Sequence, residues 1–228
     1  MKRVEKFIGT LLILLCVASS ALCADPFAVN PGGFGPDIDG VKLGMKLSLS
    51  ELTEWLIKLK KLPFTIEINN GRFNYANNYS NAGDRNNSKG GISIKFHGSG
   101  SSLNGYEIIR SSIGLPKNLM LGDIFKEVEK HGVSNISIFF GTNSKYPEDI
   151  ITFNKDMRVA SIKLRKTDLT SESVPDAKFV NDIMAKYKIP RMGNRGNVWQ
   201  YKNRSQGWQI SYFVFGGGMV LVESINTK

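Results

Sequence analysis

Apolar residues at every second position, in short runs bounded by turn-forming residues, restrict this chain more than any other feature. The segment FTIEI (64–68) puts Phe64, Ile66 and Ile68 on one face and Thr65 and Glu67 on the other. ISIKF (92–96) repeats the pattern, and YEIIRSSI (106–113) is a weaker third run. A period of two is the mark of a strand with one face buried and one wet. Six more runs follow: ISIFF (136–140), DIITF (149–153), RVASIKL (158–164), NVWQYK (197–202), GWQISYFVF (207–215) and MVLVESI (219–225). NKD (154–156), NRSQG (203–207) and the glycines of FGGGM (215–219) supply turns, and GNRG (193–196) reads as another. Such a pattern predicts antiparallel pairing.

Each group of three runs is preceded by a helical stripe. Ser48 stands three residues before Glu51, the spacing of a capping box, and Leu49, Leu52, Leu56 and Leu59 then line one face until Pro63. LGDIFKEVEKHG (121–132) carries the stripe Leu121, Ile124, Phe125 and Val128, with Gly132 as a terminator. AKFVNDIMAKYKIP (177–190) carries Val180, Ile183, Met184 and Tyr187. The expected fold class is α+β, with repeated helix-then-three-strand units and an antiparallel sheet whose helices pack on one face. The units fall at 41–113, 114–170 and 171–228, either separate or as one continuous domain. Residues 25–40, DPFAVNPGGFGPDIDG, lack periodicity and read as a flexible lead-in. Residues 69–91, crowded with Asn, Gly and Ser, read as a long mobile hairpin excursion.

The first 24 residues have the grammar of a signal peptide. Lys2, Arg3 and Lys6 precede an apolar run from Phe7 to Ala18, then the small residues of ASSALCA (18–24). A run of about a dozen is too short for a bilayer span, which needs about 20 residues. No later segment is apolar enough to span, so no transmembrane segment is expected. The expected address is exported, periplasmic or secreted, with cleavage after Cys23 or Ala24. A lipid anchor competes, because Cys16 and Cys23 both lie here, but each follows a leucine where a small residue is wanted. Beyond residue 24 there is no cysteine, which excludes disulfides, thiol nucleophiles and cysteine metal sites from the exported chain.

Charge bounds the partners. Residues 1–24 hold Lys2, Arg3, Lys6 and Glu5, so the formal +10 falls to +8 without them. Anionic lipid, polysaccharide or an acidic protein suits that charge, although a basic exported protein need have no polyanionic ligand. Nucleic acid fits the charge but not the export signal, so no nucleic-acid partner is expected.

The stretch GVKLGMKLSLSELTEWL (40–56) resembles the repeat openings of two related groups of exported bacterial proteins. These are the beta-lactamase-inhibitor-protein-like fold and the small outer-membrane assembly lipoproteins of the SmpA/OmlA type. Both show a Gly-Met step, a polar cap and a helix leading to antiparallel strands, with a weaker echo here from Leu119. The Leu-Gly-x-Pro that often closes that helix is replaced by LKKLPF (59–64). The resemblance implies a curved antiparallel sheet with helices on one face, used to grip another protein. It implies no functional residue.

Catalytic chemistry finds little support. The two histidines, His97 and His131, are far apart and in no metal-ligand spacing, so no metal or other cofactor is expected. No G-x-S-x-G elbow or phosphate loop is present. Carboxylate pairs occur at Asp37/Asp39, Glu127/Glu129 and Glu148/Asp149, which keeps a carboxylate-based hydrolase as a third reading. Glu127 and Glu129 lie two apart on a helix, so they point apart and read as solvated. The candidate binding patch is RMGNRGNVWQYKNRSQGW (191–208), where Arg191, Arg195, Lys202 and Arg204 interleave with Trp199, Tyr201 and Trp208. In a strand, Trp199 and Tyr201 face away from Lys202, so these aromatics equally read as core. The expected function is a non-catalytic, exported protein-binding module, an assembly factor or inhibitor, whose partner is another envelope or extracellular protein. The alternative is a basic module adhering to anionic lipid or polysaccharide.

Overall fold

A computed structural model describes residues 32–69, 91–111, 115, 119–131, 133, 135–141, 148–154, 156–170 and 173–225. The chain order begins with β1 (Phe34–Ile38), β2 (Val41–Leu43), α1 (Leu49–Lys58), β3 (Leu62–Asn69), β4 (Gly91–Gly100) and β5 (Ser102–Ser111). It continues with α2 (Leu121–Lys130), β6 (Asn135–Phe140), β7 (Glu148–Phe153), β8 (Val159–Arg165) and the single turn α3 (Lys166–Leu169). Last come α4 (Asp176–Lys186), β9 (Gly193–Arg195), β10 (Val198–Asn203), β11 (Trp208–Phe213) and β12 (Met219–Ser224). Ten strands form one antiparallel sheet in the order β5-β4-β3-β6-β7-β8-β12-β11-β10-β9, and β1 and β2 pair separately. The protein is therefore α+β, as the alternating runs require.

Cross-strand register explains the alternation. Ile92, Ile68, Ile136, Ile151, Ile162, Val222, Ile210 and Tyr201 face one another across eight consecutive strands. All but the half-buried Tyr201 are buried, and each buried side chain stabilises the fold by about 1.5–3 kcal/mol. A one-residue slip would turn any of these strands inside out, so the apolar row sets the register. The stripes of α1 (Leu49, Leu52, Trp55, Leu56), α2 (Ile124, Phe125, Val128) and α4 (Phe179, Val180, Ile183) join the same buried cluster. Phe179 meets the sheet at Tyr212, ring centroids 5.0 Å apart.

Helix starts differ in chemistry. At α1 the Glu51 N–H donates to Ser48 Oγ (3.2 Å), and the Ser48 N–H donates to Glu51 Oε2 (2.7 Å), completing the expected capping box. A further donor, the Leu49 N–H, reaches Glu129 Oε1 of α2 at 3.2 Å. Glu129 is thus not merely solvated: its carboxylate sits on the positive end of a neighbouring helix. Glu127 pairs instead with Lys130 at 2.8 Å, and that contact holds its carboxyl below the usual range.

Two further expectations need correction. Part of the expected lead-in is ordered: β1 buries Phe34 and Ile38, and the Trp55 indole N–H donates to the Ile38 carbonyl (3.2 Å). Gly35 and Gly40 take positive φ there, so backbone conformation rather than an apolar period makes this hairpin. Likewise Gly193–Arg195 is a short strand paired with β10, and the turn falls at Gly196 (φ 66°). The 70–90 excursion and Gly132 lie outside the described residues.

Candidate functional site

Two sets of residues are arranged for more than packing. They are the face of the sheet opposite the apolar row and a charged cluster where α4 meets β11.

The opposite face is built from residues that alternate with the core. Glu107, Lys95, Thr65 and Phe139 form one row across β5, β4, β3 and β6. At the other end, Thr152, Ser161, Glu223, Gln209 and Lys202 form a second. Lys163, Leu221, Ser211 and Gln200 form a third. Hydrogen bonds run along these rows: Thr152 Oγ1 with Ser161 Oγ (2.6 Å), Gln200 Nε2 to Ser211 Oγ (2.9 Å), and Gln209 Nε2 to Glu223. The side chains are short or mutually fastened and mixed in charge, Glu67, Glu107 and Glu223 against Lys95, Lys163 and Lys202. None of the described helices takes its buried stripe from this face. Apolar residues interrupt it: Phe139, Leu221, Val198, Phe213 and Met219 share this face, and Ile150 on it is buried.

In the cluster, Tyr212 is 1% exposed and its hydroxyl donates to Asp176 Oδ1 at 2.5 Å. Lys166 Nζ donates to the same carboxylate at 3.0 Å and to the Val174 carbonyl, and lies 5.4 Å from the centre of the Phe179 ring. The Tyr212 hydroxyl and the Lys166 ammonium hold the Asp176 carboxyl below its usual range. Burial and then the Asp176 carboxylate push Tyr212 well above a free phenol. A Cβ on Gly218 (φ 83°) would stand 2.6 Å from the Tyr212 hydroxyl, and the Gly218 carbonyl accepts the Lys166 N–H at 2.8 Å. Tyr212 and Lys166 both bond to Asp176, so the cluster fastens α4 to β11.

The expected binding patch separates into two sides. Trp199 and Tyr201 pair with Tyr212 and Ile210 on the core face, Trp208 is buried there, and the rings pack at 5.8 Å (Trp199–Tyr212) and 5.4 Å (Tyr201–Trp208). Arg195 and Lys202 lie on the opposite face; Arg191 and Arg204 are exposed at the ends of the strand pair. The structure therefore does not bring the aromatics and cations of this patch together. Phe213 and Met219, on the odd face of GWQISYFVF and MVLVESI, share the sheet face of Lys202.

The carboxylate pairs are occupied by structural contacts. Asp37 Oδ1 accepts the Gly40 N–H at 2.6 Å, Asp39 meets Lys186 at 2.9 Å, and Glu127 and Glu129 are engaged as described. The side chains of Glu148 and Asp149 lie outside the described residues. Among the described residues no three His, Cys, Asp or Glu side chains gather as a metal site requires, and no helix is long and apolar enough to cross a membrane. No family model, no curated protein and no solved structure matches this chain.

Proposed function

We propose that the protein is a non-catalytic, exported binding module that grips another protein on the polar face of its sheet. One observation carries the reading: a ten-stranded sheet has one face committed to the core and an opposite face of short, mutually bonded, charge-mixed side chains. A wide, stiff surface of this kind suits a protein partner, because little order is lost on docking. On this reading the chain comprises three helix-then-three-strand units, each opening with a helix whose apolar stripe closes the same side of the sheet. The signal-like residues 1–24 and the resemblance at Gly40–Trp55 accord with an envelope or extracellular partner.

A second reading rests on a different observation. From Lys186 to Arg204 the chain carries six cations and no acid: Lys186, Lys188, Arg191, Arg195, Lys202 and Arg204. Such an edge suits adhesion to anionic lipid or polysaccharide. Salt separates the two, since exposed charges are screened over about 10 Å at 0.1 M. The protein, tagged and incubated with envelope extract, is washed at low and then high salt. A single protein retained through high salt supports the gripping module. Release of lipid or polysaccharide by salt, with no protein retained, would sink it in favour of adhesion.

A further inference from the structure

Exposed apolar bulk gathers at one edge of the sheet. Among the described residues six large apolar side chains are exposed, and Leu103, Tyr106, Ile108 and Ile109 of β5 are four of them. A fifth, Met120, is 72% exposed and follows Leu119, whose carbonyl accepts the Tyr106 hydroxyl at 3.3 Å. Among the described residues β5 pairs with β4 alone, so its outer side presents backbone N–H and C=O groups.

Register shows which face the apolar residues take. Tyr106 and Ile108 stand opposite Phe96 and Ile94 of the core, and Leu103 stands opposite Gly98 on the same face. Glu107, opposite Lys95, takes the polar face. The apolar layer of the sheet therefore runs out to this edge and ends there in exposed side chains. Edges are commonly blunted by lysine, proline or a twisting bulge. Strand β5 has neither lysine nor proline, and its bulge at Ile109 leaves an isoleucine exposed.

Charge and backbone chemistry select the occupant. In a chain of net charge +10, β5 holds one acid, Glu107, and one base, Arg110. A partner drawn by the chain's cations finds no excess of them here. A lipid surface cannot pair the backbone groups of the edge, because hydrocarbon offers neither donor nor acceptor. A second copy supplies what the edge lacks: a neutral strand, apolar on one face, with an outer row of backbone groups of its own. A two-fold axis perpendicular to the sheet generates an antiparallel pair and keeps like faces together, which joins the two apolar layers. On two copies the five side chains and the paired edge remove about 1,000 Å² from water, the least that a specific interface requires.

We propose that the protein pairs with a second copy of itself, β5 against β5, in one continuous antiparallel sheet. The axis sets one residue of the strand opposite its own copy. Bulges at Asn104 and Ile109 bracket the regular run Gly105–Ile108, which must hold that residue. At Glu107 two carboxylates would face each other and repel. At Gly105 or Ile108 the adjoining pair would already involve a bulge residue. Tyr106 is therefore the residue on the axis. The pairing stands on the β5 edge and does not rest on the reading of the polar face.

Sedimentation equilibrium of the full chain tests the pair. The parent is expected as a dimer, and Ile109→Lys and Leu103→Lys each weaken the association on the order of tenfold or more. The apolar run Phe7–Ala18 is common to all three proteins, so it cannot produce the difference. Cross-linking tests the register. With Cys16 and Cys23 replaced by serine, Tyr106→Cys is expected to oxidise to a disulfide-linked dimer, whereas Ser102→Cys is not. A monomeric parent overturns the proposal and leaves the edge to a foreign strand. So do lysine variants that associate like the parent, assemblies that grow beyond a dimer, or equal cross-linking at both cysteines.

Discussion

The two ends of the sheet are defended differently. At one end β5 offers ten residues of edge, with Leu103, Tyr106, Ile108 and Ile109 exposed, Ile109 by 54%. At the other, β9 is three residues long, fully exposed, and ends in Arg195. A short, charged edge gives a foreign strand few backbone groups to pair with, whereas a long apolar edge is a template for pairing. Among the described residues no strand pairs with the outer side of β5. Attachment of the helices differs as well. α1 is held by apolar burial and its capping box, whereas α4 adds to its buried stripe the Lys166–Asp176–Tyr212 cluster that ties it to β11. The comparison teaches that one sheet leaves a long apolar edge at one end and a short charged edge at the other.

The largest effect expected is from the shared apolar row. Ile92→Ala on β4 and Ile162→Ala on β8 each cost about 2–5 kcal/mol in urea unfolding. A single transition in both variants means the ends fold as one unit, and two transitions would divide them. Next comes the tie between the two halves. Lys61, just before β3, meets Asp168 of α3 at 2.6 Å, and the Asp168 side chain is 3% exposed. Lys61→Met leaves that carboxylate with the Arg165 N–H but without its lysine, at a cost of about 1–3 kcal/mol by the same measurement.

Tyr212→Phe tests the fastened end and is expected to cost about 1–2 kcal/mol at neutral pH. The sign with pH follows from the two shifts. Asp176 is held below the ordinary carboxylate value of about 3.9, so its contribution is present above that pH and lost as the pH falls through its folded value. Tyr212 is raised above about 10, so its contribution is present below pH 10 and lost as the pH rises further. The gap between parent and variant should therefore be widest between these limits; a constant gap down to acid pH would deny the Tyr212–Asp176 bond its role. The smallest change in stability belongs to Ile109→Lys, within about 0.5 kcal/mol. Light scattering should nevertheless show less self-association in that variant, and no decrease would mean the β5 edge is already covered.

Much of this was legible in the residues. The period of two in FTIEI and ISIKF, and the stripe after Ser48, need only neighbours along the chain to be read, because burial of one face imposes them directly. The hairpin around Gly35 and Gly40 was less legible, since its order comes from backbone conformation and from Trp55 reaching back to Ile38. The role of Glu129 was invisible, as its partner is the Leu49 N–H on another helix. The patch around Trp199 shows the limit most clearly: the alternation told which side chains part company, but not which neighbours each side would meet.

By itself the sequence determined that the chain forms antiparallel strands and amphipathic helices, and roughly which face of each is buried; within the helices Leu59, Leu121 and Met184 are only partly buried, while Trp55 and Phe179 join the core. Those properties follow from local period and the aversion of apolar side chains to water. Only the tertiary structure decided the strand order, the edges at β5 and β9, and the meeting of Arg195, Val198, Phe213, Met219 and Arg165 in one row. Each of those depends on contacts between residues far apart in the chain, and hydrophobic burial is non-directional: it says that a face must be covered, not by which partner.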